Sequence, residues 1–237
     1  MFKPLFVLAL LVGITAHAEY QPKVVETNLT GVRIPIGFDD NDRIQVVAEG
    51  AFYSSCYQLG PYKTEVDLVA RTVKLFQSAY VYEGFCIEVE MDYTQVMELE
   101  LLPAGDWKIV DGPTGKVLGN LPVARATHSG PGPDDYLYAP VEDVFMVQDE
   151  LSGQPAMVLT GTHPVSCLEI KDILMTVGEG VIVVQPIAFK RKNVECNAGK
   201  YPFQVTALVS EGTKAGEYLV HVRAMNGKAI NKMFRIN

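Results

Sequence analysis

The sequence predicts an all-β protein built from two tandem antiparallel β-sandwich domains, and three observations lead to that fold class. Glycine and cysteine positions recur 111 residues later, from Gly50 and Cys56 to Gly161 and Cys167. Apolar and polar residues alternate with a period of two, which is the side-chain period of a strand. Turn signals rich in Gly and Pro separate the alternating segments at short intervals, as antiparallel connections require.

The repeat extends well beyond the cysteines, which argues against coincidence. Gly50 and Gly161 each stand six residues before the first cysteine of their copy, and Tyr93 and Phe203 each stand seven residues after the second. The other recurring segments are Ala104-Gly105-Asp106-Trp107 with Ala215-Gly216-Glu217-Tyr218, and Gly115-Lys116 with Gly227-Lys228. A unit of roughly 100 residues is far longer than a solenoid repeat, so each copy is predicted to be a whole domain.

The chain is therefore divided into a leader, two domains and a linker. Residues 1–18 have the pattern of a secretory signal peptide, with Lys3 followed by ten apolar residues and by Ala16-His17-Ala18. Ten apolar residues span only about 15 Å as a helix, which is too short for a stable membrane anchor. The predicted domains are residues 19–124 and 139–237, joined by a Gly- and Pro-rich linker over 125–138. We expect a periplasmic or secreted protein, cleaved after Ala18.

Composition limits the possible partners. The chain carries 20 Lys and Arg against 28 Asp and Glu, a formal charge of −8, and cleavage would remove Lys3 and leave 19 − 28 = −9. An acidic chain repels phosphate backbones and anionic lipid headgroups. Nucleic acid and membrane surfaces are therefore not expected as partners, and a protein or glycan of the cell envelope or the extracellular space is favoured.

The four cysteines form two pairs, Cys56 with Cys86 and Cys167 with Cys196, which stand thirty and twenty-nine positions apart. Four cysteines allow three disulfide connectivities, and a repeated domain that folds by itself favours one bond within each copy. Metal ligation is the alternative, but zinc sites usually take their ligands in close pairs, and only His163 lies near a cysteine. We expect two structural disulfides, each contributing about 3.5 kcal/mol on the chain-entropy model.

Individual strands are predicted where the alternation is strongest. Ile87, Val89 and Met91 alternate with glutamates, which indicates a strand with one polar face. The continuous apolar run 181–184 indicates a central strand, and Asn226-Gly227 is the best hairpin turn of the chain.

Each copy carries a cysteine pair followed by a motif of Gly, an acidic residue and an aromatic residue. The segments are Cys56-Tyr57, Cys86 and Leu101-Leu102-Pro103-Ala104-Gly105-Asp106-Trp107, and then Cys167-Leu168, Cys196 and Ala215-Gly216-Glu217-Tyr218. In this pattern the chain resembles the immunoglobulin-like and fibronectin-like repeats of secreted bacterial proteins. The resemblance covers most of both copies and implies two immunoglobulin-like sandwiches, but it implies little about function because this fold hosts many activities.

The cysteine spacing departs from that of antibody domains, whose wider pair encloses a core tryptophan. Here Trp107 lies outside the pair. We expect each disulfide to join other strands, or a strand to a loop, and we expect Trp107 and its counterpart Tyr218 to fill the cores from a late strand. An exposed aromatic residue near a hairpin is the alternative.

Searches for catalytic motifs return nothing. The sequence contains no nucleophile elbow, no His-Glu-x-x-His zinc motif, no P-loop and no dinucleotide fingerprint. Of the three histidines after the leader, we expect His128 in the linker, His163 in a loop and His221 on the outward face of a strand. The protein is therefore predicted not to be an enzyme and to need no cofactor.

An acidic turn is a weak candidate for a calcium site. Asp39, Asp40 and Asp42 could supply oxygen ligands. The turn lacks the spaced ligands, the central glycine and the distal glutamate of an EF-hand, and Asp side chains also hydrogen-bond their own backbone in turns. The main expectation is that the protein has no metal site.

The aromatic residues indicate a possible binding surface. Six of the eleven tyrosines fall between Tyr53 and Tyr93. Phe76, Tyr80 and Tyr82 share one face of a predicted strand whose other face is apolar. If the apolar face is core, these three side chains form an exposed surface suited to a protein or a glycan. Burial of both faces is the alternative.

The expected function is that of a non-enzymatic secreted or periplasmic protein that binds or supports another macromolecule. Two alternatives stay open. A periplasmic assembly chaperone of the two-domain immunoglobulin-like type would need an exposed edge strand and a basic anchor between the domains, for which Arg33, Lys63 and Arg125 are nominal candidates. An inhibitor of a secreted hydrolase or protease would need a protruding loop.

Overall fold

A computed structural model describes residues 21–127 and 136–237 of the protein. Across these two ranges, strands are the only regular elements besides a 3-10 turn at Met225–Gly227, so the predicted all-β class is confirmed. No helix in the two ranges is long and apolar enough to cross a membrane. The predicted signal peptide and residues 128–135 of the predicted linker lie outside the described residues.

The first half contains nine strands. They are β1 (Lys23–Thr27), β2 (Gly31–Arg33), β3 (Phe38–Asp39), β4 (Gln45–Phe52), β5 (Tyr57–Asp67), β6 (Thr72–Val81), β7 (Met91–Glu98), β8 (Gly105–Asp111) and β9 (Val117–Ala124). One sheet has the order β2-β4-β7, and the other has the order β1-β6-β8-β9-β3. β5 pairs along the whole of one side of β6, whereas β1 and β8 share the opposite side of that strand.

The second half contains seven strands. They are β10 (Val141–Gln148), β11 (Pro155–Val165), β12 (Leu168–Val177), β13 (Val181–Lys190), β14 (Ala198–Leu208), β15 (Gly216–Ala224) and β16 (Lys228–Ile236). The sheets have the orders β10-β11-β14 and β12-β13-β15-β16. These orders repeat β2-β4-β7 and β5-β6-β8-β9 of the first half. The repeat found in the sequence is therefore a repeat of strand topology.

The predicted antiparallel arrangement is wrong at three strand pairs. β6 and β8, β13 and β15, and β3 and β9 run parallel, while the other described strand pairs are antiparallel. For the first two pairs the reason is that the intervening strand, β7 or β14, belongs to the opposite sheet. The chain crosses to that sheet and returns in its original direction. Turn residues in the sequence do not show to which sheet the next strand belongs.

Each half buries its own hydrophobic core, to which both of its sheets contribute. Trp107 on β8 and Tyr218 on β15 are both buried, so the prediction that they fill the cores from a late strand is confirmed. Their polar atoms make the same bond, because Trp107 Nε1 donates to the carbonyl of Pro103 at 2.9 Å and the Tyr218 hydroxyl donates to the carbonyl of Lys214 at 3.1 Å.

The repeated glycines make room for an aromatic ring from the neighbouring strand. Gly50 on β4 pairs with Tyr93 on β7, and Gly161 on β11 pairs with Phe203 on β14. A Cβ atom at either glycine would collide with that ring. The glycine and the aromatic residue therefore recur together because each pair is one packing unit.

The strand predictions have mixed outcomes. The prediction of a strand over 87–91 is wrong, because β7 begins only at Met91. The backbone of Ile87 is hydrogen-bonded to Ser55 and does not pair with a neighbouring strand. The run 181–184 is buried in β13 between β12 and β15, as predicted. The predicted Asn226-Gly227 turn joins β15 to β16.

The end of the predicted linker lies against the second half. Tyr138 is buried and forms an antiparallel bridge with Ile187, and the Ala139 amide donates to the carbonyl of Pro186 at 2.8 Å. This segment has the same relation to β13 that β1 has to β6. The structural repeat therefore extends to the segment before β10, which makes a single bridge to β13 where β1 makes a full ladder with β6.

Candidate functional site

Both disulfides join the cysteines of one copy, which confirms the predicted pairing. The Cα atoms are 5.4 Å apart in Cys56–Cys86 and 5.0 Å apart in Cys167–Cys196. Each bond ties the connection between β4 and β5, or between β11 and β12, to the connection after β6 or β13. Two disulfides indicate an oxidising environment outside the cytoplasm.

The same backbone hydrogen bonds hold both disulfide ends. The Ser55 amide donates to the carbonyl of Ile87 at 3.0 Å, and the Ile87 amide donates to Ser55 Oγ at 2.9 Å. In the second half, the Ser166 amide donates to the carbonyl of Asn197 at 3.0 Å, and the Asn197 amide donates to Ser166 Oγ at 3.1 Å. The disulfide-bonded connections of the two halves are therefore held by equivalent hydrogen bonds.

A further pair of matched bonds marks where each loop begins. The Tyr82 amide donates to the carbonyl of Cys56 at 3.0 Å, and the Arg191 amide donates to the carbonyl of Cys167 at 2.8 Å. We name residues 82–90 the first disulfide loop and residues 191–200 the second disulfide loop. The second loop is one residue longer before its cysteine, so positions are compared by counting forward from the anchoring bond or forward from the second cysteine.

Equivalent positions in the two loops carry opposite charges. Glu83 follows the anchoring bond of the first loop, and Lys192 holds that place in the second. Glu90 and Lys200 both stand four residues after the second cysteine of their copy. All four side chains are exposed, and residues 190–192 are all basic. One scaffold therefore presents an acidic loop in the first half and a basic loop in the second.

Exposed apolar side chains distinguish the first disulfide loop. Phe85, Ile87 and Val89 are 96%, 60% and 43% exposed, whereas the second loop has only Val194, at 44%, among its exposed large hydrophobic residues before β14. No Lys or Arg occurs over 75–107. Apolar side chains at the centre of a charged surface are typical of protein-binding sites.

A groove of about 850 Å³ lies beside the first disulfide loop. The ring of Phe52 stacks on Tyr93 at 4.4 Å and on Tyr57 at 5.8 Å between centroids. Burial raises the pKa of Tyr93, and its hydroxyl shares a 3.1 Å hydrogen bond with the Thr27 hydroxyl. Glu88 of the first disulfide loop lines the groove. The groove therefore offers aromatic walls with an acidic margin.

The predicted aromatic surface lies on the outer face of β6. Tyr82 is exposed, and Phe76 and Tyr80 are half-buried, while alternate residues on β6 enter the core. Lys63 Nζ lies 5.9 Å from the centre of the Phe76 ring. None of the three predicted residues lines the groove. Tyr82 belongs to the first disulfide loop, so the outer face of β6 continues into that loop.

The acidic turn takes part in the contact between the halves. Asp42 Oδ2 accepts a hydrogen bond from the Asp39 amide at 3.0 Å and pairs with Arg223 of β15 at 3.4 Å. Asp40 Oδ1 accepts a bond from the Ala126 amide at 2.9 Å. In the parts of the chain that the structure describes, no group of three or more His, Cys, Asp or Glu side chains could hold a metal ion.

Arg33 makes the reciprocal contact from the first half. It donates to the carbonyls of Gly180 and Glu217, both at 3.1 Å, and pairs with Glu49 at 2.5 Å. The surrounding cleft of about 410 Å³ also contains Asp92. Arg33 is a nominal candidate for the basic anchor of the chaperone alternative. In the structure its charge is matched by the carboxylates of Glu49 and Glu217.

His221 is buried in the contact between the halves, so its predicted outward exposure is wrong. Its Nδ1 bonds Asn231 Oδ1 at 2.7 Å, Asn231 donates to Gln45 at 2.7 Å, and Gln45 donates to Glu98 at 3.0 Å. Because the chain of donors ends on a carboxylate, His221 Nδ1 carries the proton. Burial lowers the pKa of His221 to about 4, so the ring is neutral near pH 7.

His163 is buried as well, which corrects the loop position expected for it. Its ring stacks on Phe203 at 4.3 Å, as Phe52 stacks on Tyr93 at 4.4 Å in the first half. Burial lowers the pKa of His163. The third histidine, His128, lies outside the described residues.

Within the first disulfide loop, Tyr82 was the only residue predicted to belong to a binding surface, although the sequence contains a signal for the rest of the loop. Aligning the two copies at their second cysteines places Glu90 against Lys200, and three consecutive basic residues, 190–192, precede the cysteine only in the second copy. The periodicity of Ile87 and Val89 instead suggested an ordinary half-buried strand. Comparison of the chain with protein-family models, with curated proteins and with solved structures finds no match.

Proposed function

We propose that this protein is a non-enzymatic periplasmic or secreted protein that binds another macromolecule, and that the first disulfide loop is its docking surface. The observation that carries the proposal is the exposure of Phe85 and Ile87, at 96% and 60%, on a loop held by Cys56–Cys86. Burying apolar side chains against a partner is favourable, and a loop that is already ordered loses little entropy on binding.

The contacts of the two described histidines support a role without catalysis. His221 is buried and hydrogen-bonded to Asn231, and His163 is buried against Phe203. A general base needs a reachable proton and a pKa near the working pH. Burial moves the pKa of both side chains downwards, and both rings have a packing role.

We also propose that each half is an immunoglobulin-like domain and that the chain reaches its compartment through cleavage after Ala18. Sheet membership supports the domain assignment, because β10, β11 and β14 share one sheet while β12, β15 and β16 share the other. The A, B and E strands and the C, F and G strands of immunoglobulin domains are divided in the same way. The insertion of β13 between β12 and β15 is a variation in strand order.

The chaperone alternative has less support. Arg33 is matched by Glu49 and Glu217, so it is not a free basic anchor. Two of the edge strands, β5 and β14, contain Pro61 and Pro202, which have no amide hydrogen to donate to an added strand. Inhibition of a secreted hydrolase is the second candidate, because Phe85 projects from a disulfide-held loop as such an inhibitor requires.

The test uses the Phe85→Ser/Ile87→Ser variant, with Leu151→Ser as the matched control because Leu151 is 98% exposed in the second half. Partners are crosslinked in the envelope fraction, identified by mass spectrometry and rebound as purified proteins. We expect the wild type and the control to bind the same partner and the loop variant to lose it. Retention of the partner by the loop variant would contradict the proposal.

The same three proteins also separate the remaining candidates. Each is incubated with a panel of secreted proteases and glycosidases and with generic ester, peptide and glycoside substrates. We expect no turnover by any of the three. Inhibition that depends on Phe85 and Ile87 would favour the inhibitor, and turnover by the purified wild type would overturn the non-enzymatic assignment.

A further inference from the structure

We propose that the first disulfide loop binds the second disulfide loop of another copy of this chain, so that copies associate head to tail. This inference rests on the proposed function and names the partner of the same surface. A second molecule of the same chain is the expected partner, because the two loops have matching anchoring hydrogen bonds and opposite charges.

The charges on the two loops are free to pair with another molecule. Glu83 and Glu90 form no ion pair with the described residues, and neither do Lys192 and Lys200. All four side chains are exposed. Opposite charges on facing surfaces direct encounter and fix the register of an interface. The acidic loop therefore suits the basic loop and repels a second acidic loop.

Apolar side chains at both loops would supply the centre of the interface. Phe85 and Ile87 are exposed on the first loop, and Val194 and Tyr201 are 44% and 37% exposed on or next to the second. An apolar centre with a charged margin is the usual composition of a specific interface. Truncating an aromatic residue at such a centre costs more binding than truncating a marginal residue.

The geometry of the repeat determines the kind of assembly. Over the described residues, no hydrogen bond or ion pair joins the two loops within one chain. Each chain has one acidic loop and one basic loop. When the acidic loop of one chain contacts the basic loop of another, the pair still has one free loop of each kind. Such heterologous contacts form rings when their rotation closes and open filaments when it does not. A symmetric dimer through two like loops would bring like charges together.

The test reverses the charge of one loop at a time. One variant is Glu83→Lys/Glu90→Lys, and the other is Lys192→Glu/Lys200→Glu; the association of each is followed by sedimentation velocity and by light scattering after gel filtration. We expect wild-type association to weaken as salt is raised, since exposed charges are screened over roughly 8–10 Å near physiological ionic strength. Each variant alone should raise the apparent Kd by at least about tenfold, because like charges then face each other.

Mixing the two variants is the decisive measurement. Each reversed loop now complements the unchanged loop of the other variant, so an equimolar mixture should regain association to within about threefold of the wild type. The control Glu211→Lys/Lys214→Glu exchanges two exposed charges in the connection between β14 and β15 without changing the net charge, and it should associate as the wild type does. Carbodiimide crosslinks between labelled and unlabelled copies should join Glu83 or Glu90 to Lys192 or Lys200.

Two results would overturn self-association. One is a wild type that remains monomeric at low salt and about 1 mM, a concentration at which even a contact worth only about 4 kcal/mol is half occupied. The other is a mixture that associates no better than its components. If either occurs while an envelope partner is still lost with Phe85→Ser/Ile87→Ser, the docking surface stands and the identity of its partner is wrong. If that partner is also retained, both proposals fail.

Discussion

The first and second disulfide loops have the same backbone bonds and opposite side-chain charges. Ser55 and Ser166 hold equivalent backbone atoms, whereas Glu83 and Glu90 stand where Lys192 and Lys200 stand in the other copy. The comparison teaches that the scaffold residues of this repeat are those bonded to the backbone. The exposed positions between these residues are free to diverge, and they differ in charge, the property that we propose selects a partner.

The largest expected effect concerns the two arginines that cross between the halves. Arg223 and Asp42 have side chains only 10% and 5% exposed, so Arg223→Met leaves a buried carboxylate and should lower the free energy of unfolding by about 4 kcal/mol. Arg33→Met disturbs an ion-pair network at the surface and should cost about 1 kcal/mol. Urea denaturation followed by circular dichroism measures both.

If Arg223→Met does not fold, Asp42→Asn provides the same comparison, because it removes the buried negative charge and keeps the turn. Equal losses in the Arg33 and Arg223 variants would show that the two crossings contribute alike. The distinction drawn from their burial would then be wrong.

Removing the disulfides should separate stability from binding. Replacing either cysteine pair with serines should cost about 3.5 kcal/mol, because the two bonds close loops of nearly equal length. Only the loss of Cys56–Cys86 should abolish capture of an envelope partner by the first disulfide loop, whereas self-association, which uses one loop of each kind, should weaken in both variants. Thermal unfolding and partner binding of the two double variants are compared; equal loss of binding would mean that both ends contribute to that surface.

The contact between the halves should weaken in acid because of His221. Its pKa is about 4 in the folded chain and 6.5 as a free side chain, so between these values the unfolded chain takes up a proton that the folded chain does not. This stabilisation is present above pH 6.5 and is lost as the pH falls towards 4. The shift corresponds to roughly 3 kcal/mol. Parallel urea titrations of the wild type and His221→Gln, which cannot titrate, isolate this change from that of the carboxylates.

The wild type should lose stability relative to His221→Gln between pH 7 and pH 4. Parallel losses in the two proteins would mean that His221 is charged in the folded state or exposed to solvent. His163→Gln is the internal comparison, since burial lowers the pKa of His163 within the second half instead of at the contact.

The smallest effect on stability is expected at the surface that we propose for docking. Phe85→Ser should change the free energy of unfolding by less than about 0.5 kcal/mol, since the side chain is 96% exposed. Its effect on partner affinity should be at least about tenfold. Leu151→Ser should change neither quantity. A Phe85 variant that is strongly destabilised would show that the ring packs against its own loop.

Local patterns were sufficient for the all-β class, the cysteine pairing and the core positions of Trp107 and Tyr218. Each depends on residues close in sequence or on an offset that both copies share. The direction of β6 and β8 could not be predicted in this way, because alternation is identical in parallel and antiparallel strands. Only the assignment of β7 to the other sheet determines that direction.

The contact between the halves could not be predicted from local sequence patterns for another reason. The alternation around His221 correctly placed the ring on the face opposite Val220 and Val222, but it left unknown what covers that face. The cover includes Gln45, which bonds Asn231 across 186 positions. A pattern within one strand carries no information about a partner so distant.

The central position of β13 has a consequence for how the chain matures. Its run 181–184 is apolar and rich in β-branched residues, and in the native sheet β12 covers one edge and β15 the other. The chain is synthesised from its N-terminus, so this segment emerges before the hairpin of β15 and β16 that closes its second edge. Until then it has the composition of an aggregation-prone segment. We expect truncation before Gly216 to produce insoluble protein.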